Sequence, residues 1–290
     1  MSFVDGILDK IGQWIAARLE SESSGYEPFT PSDPETLLQV LQPGDILLVE
    51  GNQKISTAIK YLTQSTWSHS AIFVGKALAE NEAYKQLKDV NELPMLVEVN
   101  IGEGCVAVPL SKYRTFNTRI CRPQGLTFED RERVVDFMVS KIGLDYDTRN
   151  IIDLVRYLFP TPPVPTRWRR RMIALGSGEP SKAICSSLIA QAFQKVKYPI
   201  LPIIERPPER NWIGSPYTYS RREILHIRHH SLYAPRDFDI SPYFAIVKPT
   251  IEKGFDYKKL RWGKVQAPKP PVKRDNKPVN EKQRIPQRFE

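Results

Sequence analysis

Between residues 46 and 123 the sequence carries a succession of short apolar runs: ILLV from Ile46, HSAIFV from His69, MLVEV from Met95, CVAVPL from Cys105 and RIC from Arg119. Gly, Pro, Asn and Lys separate them, and only one helix-patterned stretch, ISTAIKYL at 55–62, falls among them. Runs this short, bounded by turn residues, pair most readily with their neighbours in sequence. They predict an antiparallel sheet.

Helical patterns lie on either side of these runs. Leu37, Leu38 and Val40 mark a short helix that enters the Pro43-Gly44 turn before ILLV. Downstream, Val134, Val135, Phe137, Met138 and Ile142 keep helical spacing, and the helix is expected to end at Gly143. IIDLVRYLF, residues 151–159, reads as another helix. Four prolines within residues 160–165 then remove donors and fix φ, so PTPPVPTRWRRRM is expected to be a loop or flap. In SKAICSSLIAQAFQKV, Leu188, Ile189, Ala192, Phe193 and Val196 are in helical register and Ser181 is a candidate N-cap. The expected class is α+β, with an antiparallel sheet packed against the helix that carries Cys185.

Three regions follow from composition along the chain. Residues 3–19 repeat apolar side chains on one face of a helix, and a polar linker with three prolines follows, which defines residues 1–34. The polar face of that helix mixes Asp5, Asp9, Lys10 and Arg18, which favours packing on the domain over a membrane surface. Residues 35–249 form the expected folded domain. Residues 250–290 are rich in Lys and Pro and are expected to be mostly a disordered tail.

The formal charge of +9 is concentrated in two places. Lys264 to Glu290 holds eight basic against three acidic residues, and RWRRR at 167–171 adds four more cations. A basic tail and loop on a neutral body fit peripheral contact with an anionic membrane better than specific nucleic-acid reading. No apolar run approaches the roughly 18 residues that cross a bilayer, and no leader pattern opens the chain, so the expected location is cytoplasmic. Cys105, Cys121 and Cys185 lack CxxC spacing and read as reduced thiols, the first two packed in strands.

Cys185 falls within about a turn of its helix's start. There, unpaired backbone N–H groups and the helix dipole favour a thiolate and can stabilise an oxyanion. A buried packing cysteine produces the same pattern, so its surroundings must decide. His69 opens an apolar strand after TQSTWS, where an imidazole would be rigidly held; a satisfied strand-edge histidine looks the same. Glu98 interrupts MLVEV, sharing a face with Leu96 and Asn100, opposite Met95, Val97 and Val99. A carboxylate there needs a partner to offset its desolvation, and an imidazole one strand away would supply one.

In this order the motifs resemble the circularly permuted branch of the NlpC-type papain-like hydrolases, specifically the YiiX/YebB-like group related to lecithin:retinol acyltransferase. PGDILL at 43–48, WSHSAIFVG, LVEV with GEGCVAVPL, and YD at 146–147 followed by ICSSLIAQAF carry the likeness, over about residues 40–200. The resemblance implies Cys185 as nucleophile, His69 as base and later acid, and Glu98 as the group that orients the imidazole. Tyr146, Trp67, Arg169 and Arg170 are candidate substrate contacts. It further implies a cysteine hydrolase or acyltransferase acting on an amide or ester through a thioester, with no cofactor and no metal.

The basic segments tilt the expected substrate toward a lipid-like or acylated molecule rather than another small molecule or a peptide. The alternatives are a cell-wall peptide amidase or endopeptidase, and a non-catalytic membrane or nucleic-acid binding module using the basic loop and tail. HIRHH at 226–230 has no neighbouring Cys and carries Arg228, so it is not read as a metal site. GEG at 102–104 is a turn, because no helix with GK[ST] follows it.

Overall fold

A computed structural model of the chain describes residue 28 and residues 33–79, 92–100, 103–144, 184–205, 224–261 and 263. The amphipathic stretch 3–19, the helix expected at 151–159, the proline-rich loop with RWRRR, Ser181 and the tail from Lys264 lie outside the described residues.

The apolar runs become strands: β1 (Ile46–Val49), β2 (His69–Phe73), β3 (Pro94–Asn100), β4 (Gly104–Pro109) and β5 (Thr118–Pro123). A later strand, β8 (Phe244–Val247), completes a six-stranded sheet in the order β4-β3-β2-β1-β5-β8, with every neighbouring pair antiparallel. A separate ribbon pairs β6 (Ile203–Glu205) with β7 (Ile224–His226). The helices are α1 (Pro34–Val40), α2 (Lys54–Thr63), α3 (Phe128–Val139), α4 (Ile184–Lys195), α5 (Pro235–Asp239) and α6 (Pro249–Glu252). The class is α+β, as expected.

Strand alternation divides the core between the two faces of the sheet. Ile46, Leu48, Ile72 and Val97 pack under α3 and α4 with Val134 and Phe193. Leu47, Val49, Phe73 and Leu96 pack on the other side under Leu37 of α1 and Tyr113 of the 3-10 turn Leu110–Tyr113. Met95 joins this second side rather than sharing a face with Val97, because the β3–β4 register shifts between Pro94 and Leu96. The bulge resets the alternation after Met95, so Glu98 keeps the face with Leu96 that its sequence position implies.

Helix α3 stops at Val139, short of Gly143. Gly143, at φ +85°, turns the chain so that its N–H donates to Cys105 O (2.9 Å) and Leu144 O accepts from Cys105 N–H (3.0 Å). Pairing with β4 thus takes over from the helix pattern. Of the residues from 250 expected to lack order, the described ones up to 261 include two exposed turns. Pro249 presets φ at the start of α6, and within the separate unit from Phe255 the Asp256 carboxylate caps the 3-10 turn Tyr257–Lys259.

One buried ion pair fixes the entry to β1. Asp45 is 1% exposed; it accepts from Gln42 N–H (2.9 Å) and takes a bidentate contact from Arg122 of β5 (2.7 and 3.0 Å). Burial pushes the Asp45 carboxyl up, and Arg122 and the Gln42 amide oppose that rise. An Arg122→Ala variant leaves this carboxylate without its cation. We expect it to lose about 3–5 kcal/mol of stability, read as a lowered urea midpoint at unchanged slope.

Candidate active site

His69 is the first residue of β2, at the open end of the strand. Its Nε2–H donates to Glu98 Oε2 at 3.1 Å, which leaves Nδ1 for the second partner of the ring, the Cys185 thiol. Cys185 is the second residue of α4 and is 6% exposed. Three residues spread over more than a hundred positions of the chain therefore make one hydrogen-bonded row.

The sheet register accounts for the contact between His69 and Glu98. β2 and β3 pair Ile72 with Val97 and Phe73 with Leu96. Continued by one residue, this sets Glu98 opposite Ala71, hence diagonally across from His69 on the same face and within reach of an imidazole. The loop before His69 is held closely: Gly51 N–H donates to Ser68 Oγ (2.9 Å), and a Cβ at Gly51 would lie 2.3 Å from Ser56 Oγ and 2.9 Å from Ser68 Oγ. Only glycine fits.

Glu98 is fully buried, and two residues that the sequence did not single out share it with His69. Lys112 donates to Oε1, and the Tyr113 hydroxyl donates to Oε2. Burial would push this carboxyl up; the charge and hydrogen bond of His69, followed by those of Lys112, overcome that and hold it well below the usual carboxylate range. Tyr113 is driven well above its ordinary value by burial and by the Glu98 charge, so it stays a neutral donor. No spacing in the sequence pointed to these residues. They return to Glu98 only because β4 pairs back along β3 and the 3-10 turn then folds under the sheet.

Burial disfavours charge on His69, but the Cys185 and Glu98 charges outweigh it and raise the imidazole to about 10. For Cys185, burial pushes the thiol up while the His69 charge and hydrogen bond, with both the side chain and backbone of Ser70, bring it down to about 7. The other thiols go the opposite way: burial raises Cys105 to about 11 and raises Cys121 further. Of the three thiols, Cys185 is the one shifted toward the thiolate.

Trp67, a candidate substrate contact, is 7% exposed, with its indole N–H on Asp239 (3.1 Å) and the Arg119 guanidinium 4.9 Å from its ring centroid. Arg119 also donates to Asp239 at 2.7 Å. As placed, Trp67 braces the chain leading into His69. Tyr146, Arg169 and Arg170 lie outside the described residues. Among the described residues no group of three or more His, Cys, Asp or Glu is arranged to hold a metal, the 226–230 histidines included. No described helix is long and apolar enough to cross a membrane.

An antiparallel sheet that presents histidine and carboxylate to a helix-borne cysteine, in the chain order His, Glu, Cys, is consistent with the permuted papain-like arrangement that the sequence motifs resemble. Residues 40–157 match the family model described as permuted papain-like amidase enzyme, YaeF/YiiX, C92 family, so that part of the chain is similar to this circularly permuted papain-like family. The matched segment includes His69 and Glu98; Cys185 lies beyond it, so its place in the row comes from the fold. Among solved structures the chain is similar to the crystal structure of metalloprotein yiiX from Escherichia coli O157:H7, at 14% identity over 71% of this chain and 96% of that one, with a TM-score of 0.38. No curated protein sequence matches it.

Proposed function

We propose that the protein is a cysteine hydrolase or acyltransferase in which the Cys185 thiolate attacks an ester or amide carbonyl, and that its substrate is lipid-like or acylated. The observation that carries this reading is the hydrogen-bonded row from Glu98 through His69 to Cys185. Attack forms the C–S bond. As the tetrahedral adduct collapses, the imidazolium of His69 gives its proton to the leaving oxygen or nitrogen. Water or another acceptor then attacks the thioester, its proton passes to His69, and the C–S electron pair returns to sulfur. Glu98 holds the ring in the tautomer that keeps Nδ1 toward sulfur.

The basic stretches RWRRR and Lys264 onward support a substrate presented at an anionic surface. The family description, an amidase, favours an amide over an ester at the same site. A test is to mix the protein with activated long-chain acyl esters and with acyl anilides, each free and in phosphatidylglycerol vesicles, and to follow intact mass. The expected result is an acyl adduct mapped to Cys185, formed faster with the vesicle-bound long-chain compound. Absence of any adduct, with all three cysteines alkylated equally slowly by iodoacetamide, overturns the reading.

The pH profile follows from the two groups that flank the reaction. Turnover is expected to rise as pH passes about 7, where the thiolate forms, and to fall beyond about 10, where the imidazolium loses the proton the leaving group needs. The limits belong to the coupled pair rather than to either residue alone. Initial rates across that range check it, and a profile that keeps rising above the upper limit removes His69 from the acid role.

A further inference from the structure

The Cys185 sulfur is nearly shut off from water, so whatever stabilises its charge must be supplied by fixed protein groups. His69 is one. Ser70, the next residue along β2, points to the opposite face of the sheet, toward α4, and is 0% exposed. Its Oγ lies 3.1 Å from Ser186 Oγ, also 0% exposed, and Ser186 Oγ lies 3.9 Å from the sulfur. Both the hydroxyl and the backbone N–H of Ser70 hydrogen-bond the Cys185 sulfur.

The backbone part has a cause in the sheet. Even-numbered residues of β2 turn their N–H groups toward β3, as Val74 does in donating to Met95 O at 2.8 Å. The β2–β3 pairs, Phe73 with Leu96 and Ile72 with Val97, stop short of Ser70, whose N–H is directed at the sulfur. A hydroxyl has one proton to give. With the Ser70 proton directed at sulfur, the bond between the serines has Ser186 as donor, and the two form a relay that ends on sulfur.

We propose that the Ser70 hydroxyl, oriented by Ser186, is a catalytic hydrogen-bond donor to the Cys185 sulfur, stabilising the thiolate before attack and again when it leaves the thioester. No proton is transferred from Ser70; it donates a hydrogen bond to the electron pair that the broken C–S bond leaves on sulfur. The inference rests on the reading of Cys185 as nucleophile. Besides Ser70, the titratable groups acting directly on the sulfur are His69 of β2 and Tyr113 of the turn after β4, with Glu98 of β3 and Lys112 behind the imidazole.

The test is the rate of Cys185 alkylation by iodoacetamide from pH 5 to pH 10, read by peptide mass in the full chain, for wild type, Ser70→Ala, Ser186→Ala and the double variant. Losing one charge-assisted hydrogen bond is expected to raise the midpoint for Ser70→Ala by about one unit. The rate below the midpoint should fall about tenfold. Ser186→Ala, which leaves the donor but frees it to rotate, should shift the midpoint less and in the same direction. The double variant should match Ser70→Ala alone, because Ser186 acts only through Ser70.

An unmoved midpoint in Ser70→Ala, or strictly additive shifts in the double variant, overturns the proposal. Melting temperatures establish that each variant is folded, and Ser186→Ala carries the test should Ser70→Ala fail to fold. If wild-type Cys185 reacts no faster than Cys105 and Cys121, the nucleophile reading falls and this proposal with it. That outcome is distinct from a fast Cys185 that ignores Ser70.

Discussion

Cys185→Ala is expected to lower acyl-transfer turnover by about 10⁴-fold or more while leaving the fold in place. The side chain is small and sits at the start of α4, while the helix is anchored in the core by Ile189 and Phe193 further along. Removing one sulfur leaves a cavity of about one atom. The chemistry is more sensitive, because no other described thiol adjoins His69. His69→Ala should cost a comparable factor, and the two together little more than either, since nucleophile and base act as one unit. Turnover of the adduct-forming acyl compound, measured beside a thermal melt, separates loss of chemistry from loss of fold. Turnover that survives Cys185→Ala would remove Cys185 from the role of nucleophile.

The second large effect concerns Glu98. Its replacement by alanine is expected to cost about 3–5 kcal/mol of stability, because it strips the partner from two cationic groups and a buried hydroxyl. Lys112 is 39% exposed and can turn to water. Tyr113, 4% exposed, cannot, and carries much of the loss. Glu98→Gln keeps the shape and an acceptor for Tyr113, so it should be far less destabilised yet lose about 10²-fold or more in turnover. Its upper pH limit should move down as the imidazole loses the neighbouring charge that raised it.

The wild-type stability curve carries the same signature. Glu98 is held below its unfolded value, so its contribution is present above about pH 4.5 and is lost as pH falls toward the folded value. Denaturant midpoints of wild type and Glu98→Gln should therefore converge in acid. Parallel curves down to the acid limit would show that the carboxylate is not the group responsible.

Much of this organisation was readable before any coordinates. The runs at Ile46, His69, Met95, Cys105 and Arg119 became neighbouring antiparallel strands because their apolar side chains alternate or run continuously between turn residues, a local signal. Cys185 near a helix start, His69 opening a strand and Glu98 inside one were visible for the same reason: each breaks the pattern of its own element. Met95 was misassigned to the face of Val97 because a bulge depends on the partner strand. The end of α3 was read too late because pairing of Gly143 and Leu144 with Cys105 is not a helix signal. Trp67 looked available to a substrate, whereas Asp239 and Arg119, from distant positions, enclose it.

The sequence by itself determined strands β1 to β5, helices α1 to α4 apart from the end of α3, and the class of fold, and it singled out Cys185, His69 and Glu98 as candidates for thiol chemistry, since local patterning and residue type are properties of short stretches. Only the tertiary structure decided which groups stand behind them: Lys112 and Tyr113 on Glu98, Ser70 and Ser186 beside the sulfur. The physical reason is desolvation. How far a charge on Cys185, His69 or Glu98 is stabilised depends on which donors replace water around it, and strand register and helix packing bring those donors together from across the chain.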